Sequence, residues 1–539
     1  MKKKGLLPVI LAIAMVITML PASVFAGENV AKIGSDEYAT VQSAVDAIEE
    51  SEDKSGTITL INNSVEDVTI TNGNVVLDLN GKTLTNNAGD TISVKINASL
   101  TVVGDGLIDN KSNGKAAVFN EGTVDLNGGT YDRTSESGQS ADISGGNSWY
   151  TICNHGSMTI REGVVVKNTG SFSSMIENGY YNYTSEDPRT GYVSETNHES
   201  PQLTIYGGEF IGGLNTVKND DGASLIIKGG TYKNTTQAAI LNWNITEISG
   251  GEFVCESENC VLNGASAASP SDKDLGKLTI TGGIFDSSGS AVVNNFNTNE
   301  DVNITGGEYT SDVSEYLKGD CAVLVYPAPD DEAGYEHLFS VVADENMALW
   351  LGATYKVSKG EDTYYYQHES DIVNGDGEAE KIGNHVFLYG IDPDGKEIAD
   401  HSDYLSVPLG ESVNGFLESI GLEILDPDPI KGYEYLGWYE PADNGWRWSD
   451  DGSVVIGLNF SETKYDFDSE VTGDTVLFTA WEKQTAVGET NDGETDTVIE
   501  KTEKSPQTGD ESNMTVPFAM AGLALAVMAA VVATRKRHN

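Results

Sequence analysis

The chain has 539 residues, with 32 Lys and Arg against 83 Asp and Glu, and its formal net charge is −51 at pH 7. So acidic a surface repels nucleic acid and other polyanions, which excludes nucleic-acid binding, but it is compatible with neutral glycans, cationic partners or divalent ions. The four cysteines, Cys153, Cys255, Cys260 and Cys321, follow no metal-site spacing, so we expect no metal and no cofactor. We predict that they are small buried residues; a Cys255–Cys260 disulfide is the alternative.

The N-terminus has the three parts of a secretory signal. Three lysines at positions 2–4 precede an apolar stretch over 6–20, and the small residues needed for cleavage end at Ala26. We predict a signal peptide over residues 1–26, cut before Gly27, and therefore a secreted protein.

An amphipathic helix is predicted just ahead of a long β-rich region. Val41, Ala44, Val45 and Ile48 recur at the spacing of one helical face, so this helix should cover the first end of the β-structure. A second short helix over 311–317, with Ser311 as its N-cap, is predicted at the other end.

One pattern recurs seven times between Asn120 and Tyr309. Each unit has an Asn, two aliphatic residues one position apart, a glycine pair (Glu-Gly in one unit) and, in six of the seven, an aromatic residue two positions later. The shortest Asn-to-Asn spacings, 21, 23 and 24 residues, fit three short strands per unit, stacked about 4.8 Å apart. The Asn column consists of Asn120, Asn154, Asn178, Asn219, Asn242, Asn263 and Asn294.

These repeats predict an all-β fold in which equivalent residues lie above one another. Aliphatic residues should fill the interior, and the Asn side chains should form a hydrogen-bonded ladder. The pattern resembles the right-handed parallel β-helix of the pectin-lyase-like superfamily, with about nine turns if residues 56–106 contribute degenerate units. We assign residues 27–320 to this domain.

Three repeats carry insertions, over 133–147, 179–201 and 265–274. Insertions in the turns of a repeat protein leave the core untouched and often form its binding face. The second insertion holds Tyr180, Tyr181, Tyr183 and Tyr192, which could stack on sugars or anchor a protein contact, or could instead pack against the repeats.

The resemblance also raises an enzymatic alternative, because this superfamily includes polysaccharide lyases and polygalacturonases. Polygalacturonase-like motifs are matched only in part, and in reversed order, by Asn154-His155-Gly156 and Asn219-Asp220-Asp221. We interpret both as turns that follow the Asn column and predict no catalytic residue.

A different pattern begins near residue 386. The segments 431–439 and 471–481 resemble the two halves of the Listeria–Bacteroides repeat, a small β-grasp-like module of surface proteins. The resemblance implies a stalk or adhesion module over 386–483, preceded by a β-rich connecting region over 321–385.

The tryptophans of this module fall into two groups. Trp438 and Trp481 belong to the matched halves and are predicted to lie in the core. Trp446 and Trp448 share one strand face in the segment between the halves, and they are either buried or exposed candidates for ligand binding.

The C-terminus has the order of a sorting signal. A Thr- and Glu-rich spacer over 484–504, predicted to be disordered, leads to Ser505-Pro506-Gln507-Thr508-Gly509, an apolar run over 516–533 and a basic tail. This order resembles the LPxTG-type cell-wall sorting signal of Gram-positive bacteria. The resemblance implies that a sortase cuts between Thr508 and Gly509 and joins Thr508 to peptidoglycan.

We therefore expect a surface protein anchored to the cell wall, with residues 505–539 as its sorting signal and a membrane contact only through the sorting helix before cleavage. An uncut membrane anchor is the alternative. The expected role is that of an adhesin or a glycan-binding scaffold, whose ligand is an extracellular glycan or a host protein. The competing function is a glycan-degrading enzyme of the same fold.

Overall fold

The structure is a computed structural model that describes residues 28–484 except 113, 135–149, 169–172, 180–200, 221, 265–275, 296–300, 329–335, 373–376, 395, 399–401 and 449–454, and except the side chains of 443–448 and 455–458. The chain divides into two compact units, residues 1–319 and 320–539. Its described part is mainly β-strand with long parallel sheets, as predicted for an all-β fold. Within that part, no helix is both long enough and apolar enough to cross a membrane.

The strands of the first unit are short. They are β1 (Ala31–Ile33), β2 (Asp36–Tyr38), β3 (Ser55–Leu60), β4 (Ser64–Val65), β5 (Val68–Ile70), β6 (Asn74–Asp78), β7 (Lys82–Asn86), β8 (Ile92–Val94), β9 (Ser99–Val103), β10 (Gly106–Asn110), β11 (Val118–Asn120), β12 (Thr123–Asn127), β13 (Thr130–Asp132), β14 (Ile152–Asn154), β15 (Ser157–Ile160), β16 (Val165–Asn168), β17 (Ile176–Asn178), β18 (Gln202–Ile205), β19 (Glu209–Gly212), β20 (Asn215–Asn219), β21 (Ser224–Ile227), β22 (Thr231–Asn234), β23 (Ala238–Asn242), β24 (Ile245–Ile248), β25 (Glu252–Cys255), β26 (Asn259–Asn263), β27 (Lys277–Ser287), β28 (Val292–Asn294) and β29 (Val302–Tyr309).

From β3 onward these strands form three parallel rows, and up to β24 each strand pairs with the strand three places later; at the end of the unit β25 pairs with β27, β26 with β28, and β27 with β29. The first row runs from β3 through β6 and β9 to β29, and the second runs from β4 through β7 and β10 to β27. The third row is the nine-stranded sheet β5-β8-β11-β14-β17-β20-β23-β26-β28. Most repeats therefore supply one short strand to every row, whereas the last two use one long strand, β27 or β29, for the first two rows.

The interior is built from stacked apolar side chains. Ile205, Ile227, Ile248 and Ile280 are partners in register on adjacent strands, and each is at most 1% exposed. The aromatic column forms a continuous stack with ring centroids 4.6–4.8 Å apart. Its members are Phe210, Tyr232, Phe253, Phe285 and Tyr309. Such contacts add to the hydrophobic gain, because stacked aromatic pairs contribute about 0.5–1.5 kcal/mol beyond area burial.

The Asn column forms the predicted ladder. Each side-chain amide from Asn120 to Asn263 donates to the Oδ1 of the next Asn at 2.7–3.0 Å, and the chain of bonds ends at Asn294. Most of these amides also donate to a backbone carbonyl, such as that of Ile245 for Asn219. Buried polar groups are tolerated here because every repeat supplies both a donor and an acceptor.

The glycine pairs are required by backbone geometry and by space. At Gly251 the φ angle is +114°, and a Cβ would lie 3.2 Å from the carbonyl oxygen of Gly230. At Gly250 a Cβ would lie 2.6 Å from the carbonyl oxygen of Lys228. The pair therefore allows one repeat to stack closely on the previous one.

The predicted N-terminal helix is α1 (Val41–Glu50). Thr40 and Ser43 form its capping box, and the four predicted apolar residues are its buried face, packed against β3 and β5. The predicted helix over 311–317 is wrong in extent: only a 3₁₀ turn, Ser314–Tyr316, forms there. The hydroxyl of Ser311 accepts a hydrogen bond from the Ala291 N–H rather than capping a helix.

The second unit contains two β-rich parts. Its strands and helices are β30 (Ala322–Pro327), β31 (His337–Val342), α2 (Glu345–Trp350), β32 (Tyr355–Lys359), β33 (Asp362–Tyr366), the 3₁₀ turn Glu369–Asp371, β34 (Ala379–Lys381), β35 (Gly383–Tyr389), β36 (Asp403–Pro408), α3 (Val413–Ser419), β37 (Tyr433–Tyr439), β38 (Pro441–Trp448), β39 (Val455–Phe460) and β40 (Thr475–Lys483).

The later part is a four-stranded sheet in the order β36-β35-β40-β37, in which only β35 and β40 are parallel. Its core includes Phe416 of α3 and Trp438, which is 2% exposed, so the core prediction for Trp438 is confirmed. Trp481 is only partly buried, and its Nε1 donates to the Ile391 carbonyl at 2.7 Å. It therefore lies at the margin of the core.

Candidate functional site

The most unusual group of side chains lies on the outer face of the nine-stranded sheet. Phe119, Cys153, Glu177 and Lys218 are register partners on β11, β14, β17 and β20. Because successive residues of a strand point to opposite faces, these side chains lie opposite the neighbouring aliphatic and Asn columns. All four are nevertheless at most 7% exposed.

A second line of side chains follows the Asn column by one residue. The members of this line are His155, Asp220 and Trp243. The backbone N–H of each donates a hydrogen bond to the backbone carbonyl of an Asn in the preceding repeat, at 2.7–2.8 Å, and so extends the parallel strand pairing. Their backbones are thus fixed in register, and their side chains join the same outer face. His155 and Asp220 are 7% and 0% exposed.

Three of these residues bring different ligating atoms together. The Cys153 thiol donates to Glu177 Oε2 at 2.9 Å and lies 3.4 Å from His155 Nε2. His155 Nε2 is 3.7 Å from Glu177 Oε2. Phe119 packs edge-on against the imidazole, with ring centroids 5.2 Å apart, and so restrains its orientation. We call Cys153, His155 and Glu177 the buried triad.

The charges around the triad are paired. Lys218 Nζ lies 2.6 Å from Asp220 Oδ2 and 4.3 Å from the centroid of the Trp243 ring. On the other side, Lys95 Nζ lies 2.8 Å from Glu121 Oε2. The buried Lys218–Asp220 pair is therefore charge-compensated, which is what charged groups need when they are buried, whereas the Lys95–Glu121 pair is partly exposed.

The environment of the triad shifts two pKa values in the same direction. Burial, and then the negative charge of Glu177, raise the pKa of the Cys153 thiol well above its usual range. Burial and the same carboxylate raise the pKa of Tyr150, whose hydroxyl is hydrogen-bonded to Glu177. In the metal-free site at neutral pH, Cys153 is therefore a thiol and Tyr150 a neutral phenol.

This arrangement is better suited to holding a cation than to nucleophilic catalysis. A nucleophilic cysteine needs a lowered pKa and a histidine oriented by a group on its other nitrogen. Here the pKa of Cys153 is raised, and Glu177 approaches Nε2, the nitrogen that faces the thiol. The sulfur, nitrogen and oxygen atoms lie within 4.8 Å of one another, so a single ion could contact all three.

Most predicted site residues lie outside the described part of the chain. These are Ala26 and Gly27 of the signal cleavage site, Tyr180, Tyr181, Tyr183 and Tyr192 of the insertion, and Ser505, Pro506, Thr508 and Gly509 of the sorting motif. Trp446 and Trp448 lie on β38, which pairs with β39, and their side chains are likewise outside the description.

The interpretation of His155 and Asp220 as parts of simple turns missed their buried side chains. A signal was present in the sequence: the column directly before Asn holds Cys153, Glu177 and Lys218 in three consecutive repeats. Cys153, Cys255 and Cys260 are free and buried, as predicted for small buried residues, whereas Cys321 is partly buried.

Comparisons with known proteins identify no relative: no protein-family model, no curated protein and no solved structure matches this chain.

Proposed function

We propose that this chain is an exported protein anchored to the cell wall, whose right-handed parallel β-helix presents a binding face and acts as an adhesin or a glycan-binding scaffold. The observation that carries this proposal is the tolerance of the stacked repeats for insertions. Strands β17 and β20 pair in register although an insertion separates them in the chain. The pairing begins with Ile176 opposite Val217 and ends with Asn178 opposite Asn219. Such a segment is available for binding because the rows do not need it.

Display on the wall follows from the two ends of the chain. The signal peptide over 1–26 would direct export, and a sortase would join Thr508 to peptidoglycan after cutting before Gly509. The spacer over 484–504 would separate the folded units from the wall. The membrane would be contacted only by the sorting helix before cleavage.

The second unit fits a stalk or adhesion role. The strand order β36-β35-β40-β37, with its parallel central pair and α3 packed against it, agrees with the β-grasp-like module implied by the Listeria–Bacteroides resemblance. The paired strands β38 and β39 form the additional segment between the two halves of that module.

A polysaccharide-degrading enzyme is the second candidate function, and one observation favours it. Glu177 lies on β17, and Glu121 and Asp220 directly follow β11 and β20, so the three carboxylates fall within four successive strands of the sheet and belong to the same outer face. Against catalysis, each carboxylate already has a close partner: Lys95 for Glu121, the Cys153 thiol for Glu177 and Lys218 for Asp220. General acid–base catalysis requires carboxylates that can reach the substrate and exchange protons.

One experiment separates the two candidates. Purified protein spanning residues 27–483 is screened on a glycan array and on host-matrix proteins, and the glycans that bind are then incubated with it and analysed for chain cleavage. Saturable binding without cleavage supports a scaffold. Cleavage that disappears in Glu177→Gln or Asp220→Asn supports the enzyme, and binding to neither class of ligand contradicts both candidates.

A further inference from the structure

We propose that Cys153, His155 and Glu177 form a binding site for a divalent transition-metal ion, with zinc as the best-matched ion. The site lies on the outer face of the nine-stranded sheet, and the inference does not depend on which ligand the surface of the protein binds.

Two of the three distances within the triad are close to those between the ligands of a tetrahedral zinc ion, and the third is shorter. With zinc bonds of about 2.3 Å to sulfur and about 2.0–2.2 Å to nitrogen and oxygen, neighbouring ligand atoms lie about 3.3–3.6 Å apart. The observed separations are 2.9 Å for Cys153–Glu177, 3.4 Å for Cys153–His155 and 3.7 Å for His155–Glu177. The Cys153–Glu177 contact, a hydrogen bond in the metal-free protein, would open by about 0.6 Å through side-chain rotation, and the other two separations would change by at most a few tenths of an ångström.

The donor set selects the class of ion. Thiolate and imidazole ligands favour zinc and similar transition metals, whereas calcium and magnesium are bound almost entirely by oxygen. One thiolate and one carboxylate balance the charge of a divalent ion, with neutral imidazole as the third ligand. The metal would take the place of the thiol proton, since a coordinating thiol is deprotonated.

The backbone places these ligands before any metal arrives. Cys153 and His155 are two residues apart, and Glu177 is directly opposite Cys153 on the next strand. Outer partners restrain two of the ligands: Phe119 packs on the His155 ring, and the Tyr150 hydroxyl is hydrogen-bonded to Glu177. Groups that contact metal ligands in this way orient the ligands and tune the affinity of the site for the metal.

The fold itself does not require polar residues at these positions. In later repeats the same outer column holds Leu241 and Leu262, which pack together in a small apolar cluster. Polar ligands at the equivalent positions of β14 and β17 therefore serve something other than stacking of the repeats. Metal binding accounts for the combination of thiol, imidazole and carboxylate.

The test is titration of the metal-free purified protein with Co²⁺ in a non-thiol reductant. We expect a thiolate-to-cobalt charge-transfer band in the near ultraviolet that saturates at one ion per chain and is lost when Zn²⁺ is added. Cys153→Ser should abolish the band, whereas Cys255→Ser, which alters another buried cysteine, should keep it. Absence of the band in the wild-type protein, or its persistence in Cys153→Ser, overturns the proposal.

A second variant distinguishes loss of the metal site from misfolding of Cys153→Ser. Glu177→Gln is nearly isosteric and retains the thiol, and we expect it to weaken Zn²⁺ affinity by about tenfold or more. Zn²⁺ should raise the melting temperature of the wild-type protein, because a ligand that binds only the folded state stabilises it, and should raise it less in Glu177→Gln. Equal Zn²⁺-induced shifts in the two proteins would also overturn the proposal.

Discussion

Asn178 and Asn219 are separated by 41 positions in the sequence, yet the Asn178 Nδ2 donates a hydrogen bond to the Asn219 Oδ1 at 2.8 Å. The length of this bond lies between those of two bonds that join repeats without an insertion, 2.7 Å for Asn242–Asn263 and 3.0 Å for Asn219–Asn242. The ladder thus continues across the longest insertion without a break. The insertion over 179–201 is therefore free to evolve a binding function, because the strands on either side of it already pair in register.

Removal of the tyrosine-bearing insertion should abolish attachment but preserve the fold. We expect a variant in which a short turn joins Asn178 to Gln202 to melt within a few degrees of the wild-type protein, because the flanking strands already pair in register. Binding to the identified glycan or matrix ligand should be lost or sharply weakened. Deletion of residues 265–274, an insertion without aromatic residues, is the matched control and should leave binding intact. Full attachment by the first variant would exclude this insertion as the site.

Interruption of the Asn ladder should be costly. In Asn219→Ala, the Asn178 amide loses one of its two acceptors, and the Asn242 Oδ1 and the Ile245 carbonyl lose the donor that Asn219 supplied. A buried polar group that is left without a hydrogen-bond partner costs about 1–3 kcal/mol. We therefore expect the free energy of unfolding, measured by chemical denaturation, to fall by at least about 2 kcal/mol. Asn74→Ala, at an exposed position with one bond from Ser99, should change it by less than about 0.5 kcal/mol. Similar losses in the two variants would mean that the ladder is not a major source of stability.

The two faces of β21 should respond differently to a charge. Ile227 is fully buried between Ile205 and Ile248, whereas Ile226, the preceding residue, lies on the other face and is partly exposed. Ile227→Asp places an unpaired carboxylate in the interior and should cost several kcal/mol, while Ile226→Asp should cost much less. Thermal denaturation of both variants measures the difference, and equal destabilisation would contradict the assignment of the interior.

The structure could be predicted from the sequence wherever the same type of residue recurs at a regular spacing. The Asn and aromatic columns and the apolar face of α1 follow local periodicity, so their positions could be predicted without knowledge of long-range pairing. The helix predicted to begin after Ser311 does not form, which shows that local sequence alone does not decide the structure there. The Ser311 hydroxyl was equally able to cap a helix or to accept a bond from Ala291, and the neighbouring repeat decided between them.

The buried triad could not be predicted from spacing alone. Cys153 and Glu177 are 24 positions apart and belong to different repeats, and they become neighbours only through the strand register. Cysteine spacing rules search for ligands within one short segment, so they do not detect a pair formed across strands. Both residues stand directly before an Asn of the ladder, so the column before Asn places them next to each other.

Acidification should destabilise the second unit through His385. Burial lowers the pKa of this residue below the usual histidine value, with the Gly352 carbonyl opposing the shift in part. The folded unit therefore holds a neutral imidazole, while the unfolded chain takes up a proton near pH 6.5, so stability falls as the pH decreases below about 6.5. The melting temperature of His385→Gln should fall less than that of the wild-type protein between about pH 7.5 and 5. An equal fall would contradict this role for His385.

Covalent attachment to the cell wall is the claim on which the proposed function depends most directly. The decisive measurement is the distribution of the wild-type protein and of Thr508→Ala between the muramidase-released wall fraction and the membrane fraction of the producing cells. We predict that the wild-type protein is released with wall fragments, whereas Thr508→Ala, which lacks the residue joined to peptidoglycan, remains in the membrane fraction. Unchanged wall linkage of Thr508→Ala would contradict the account.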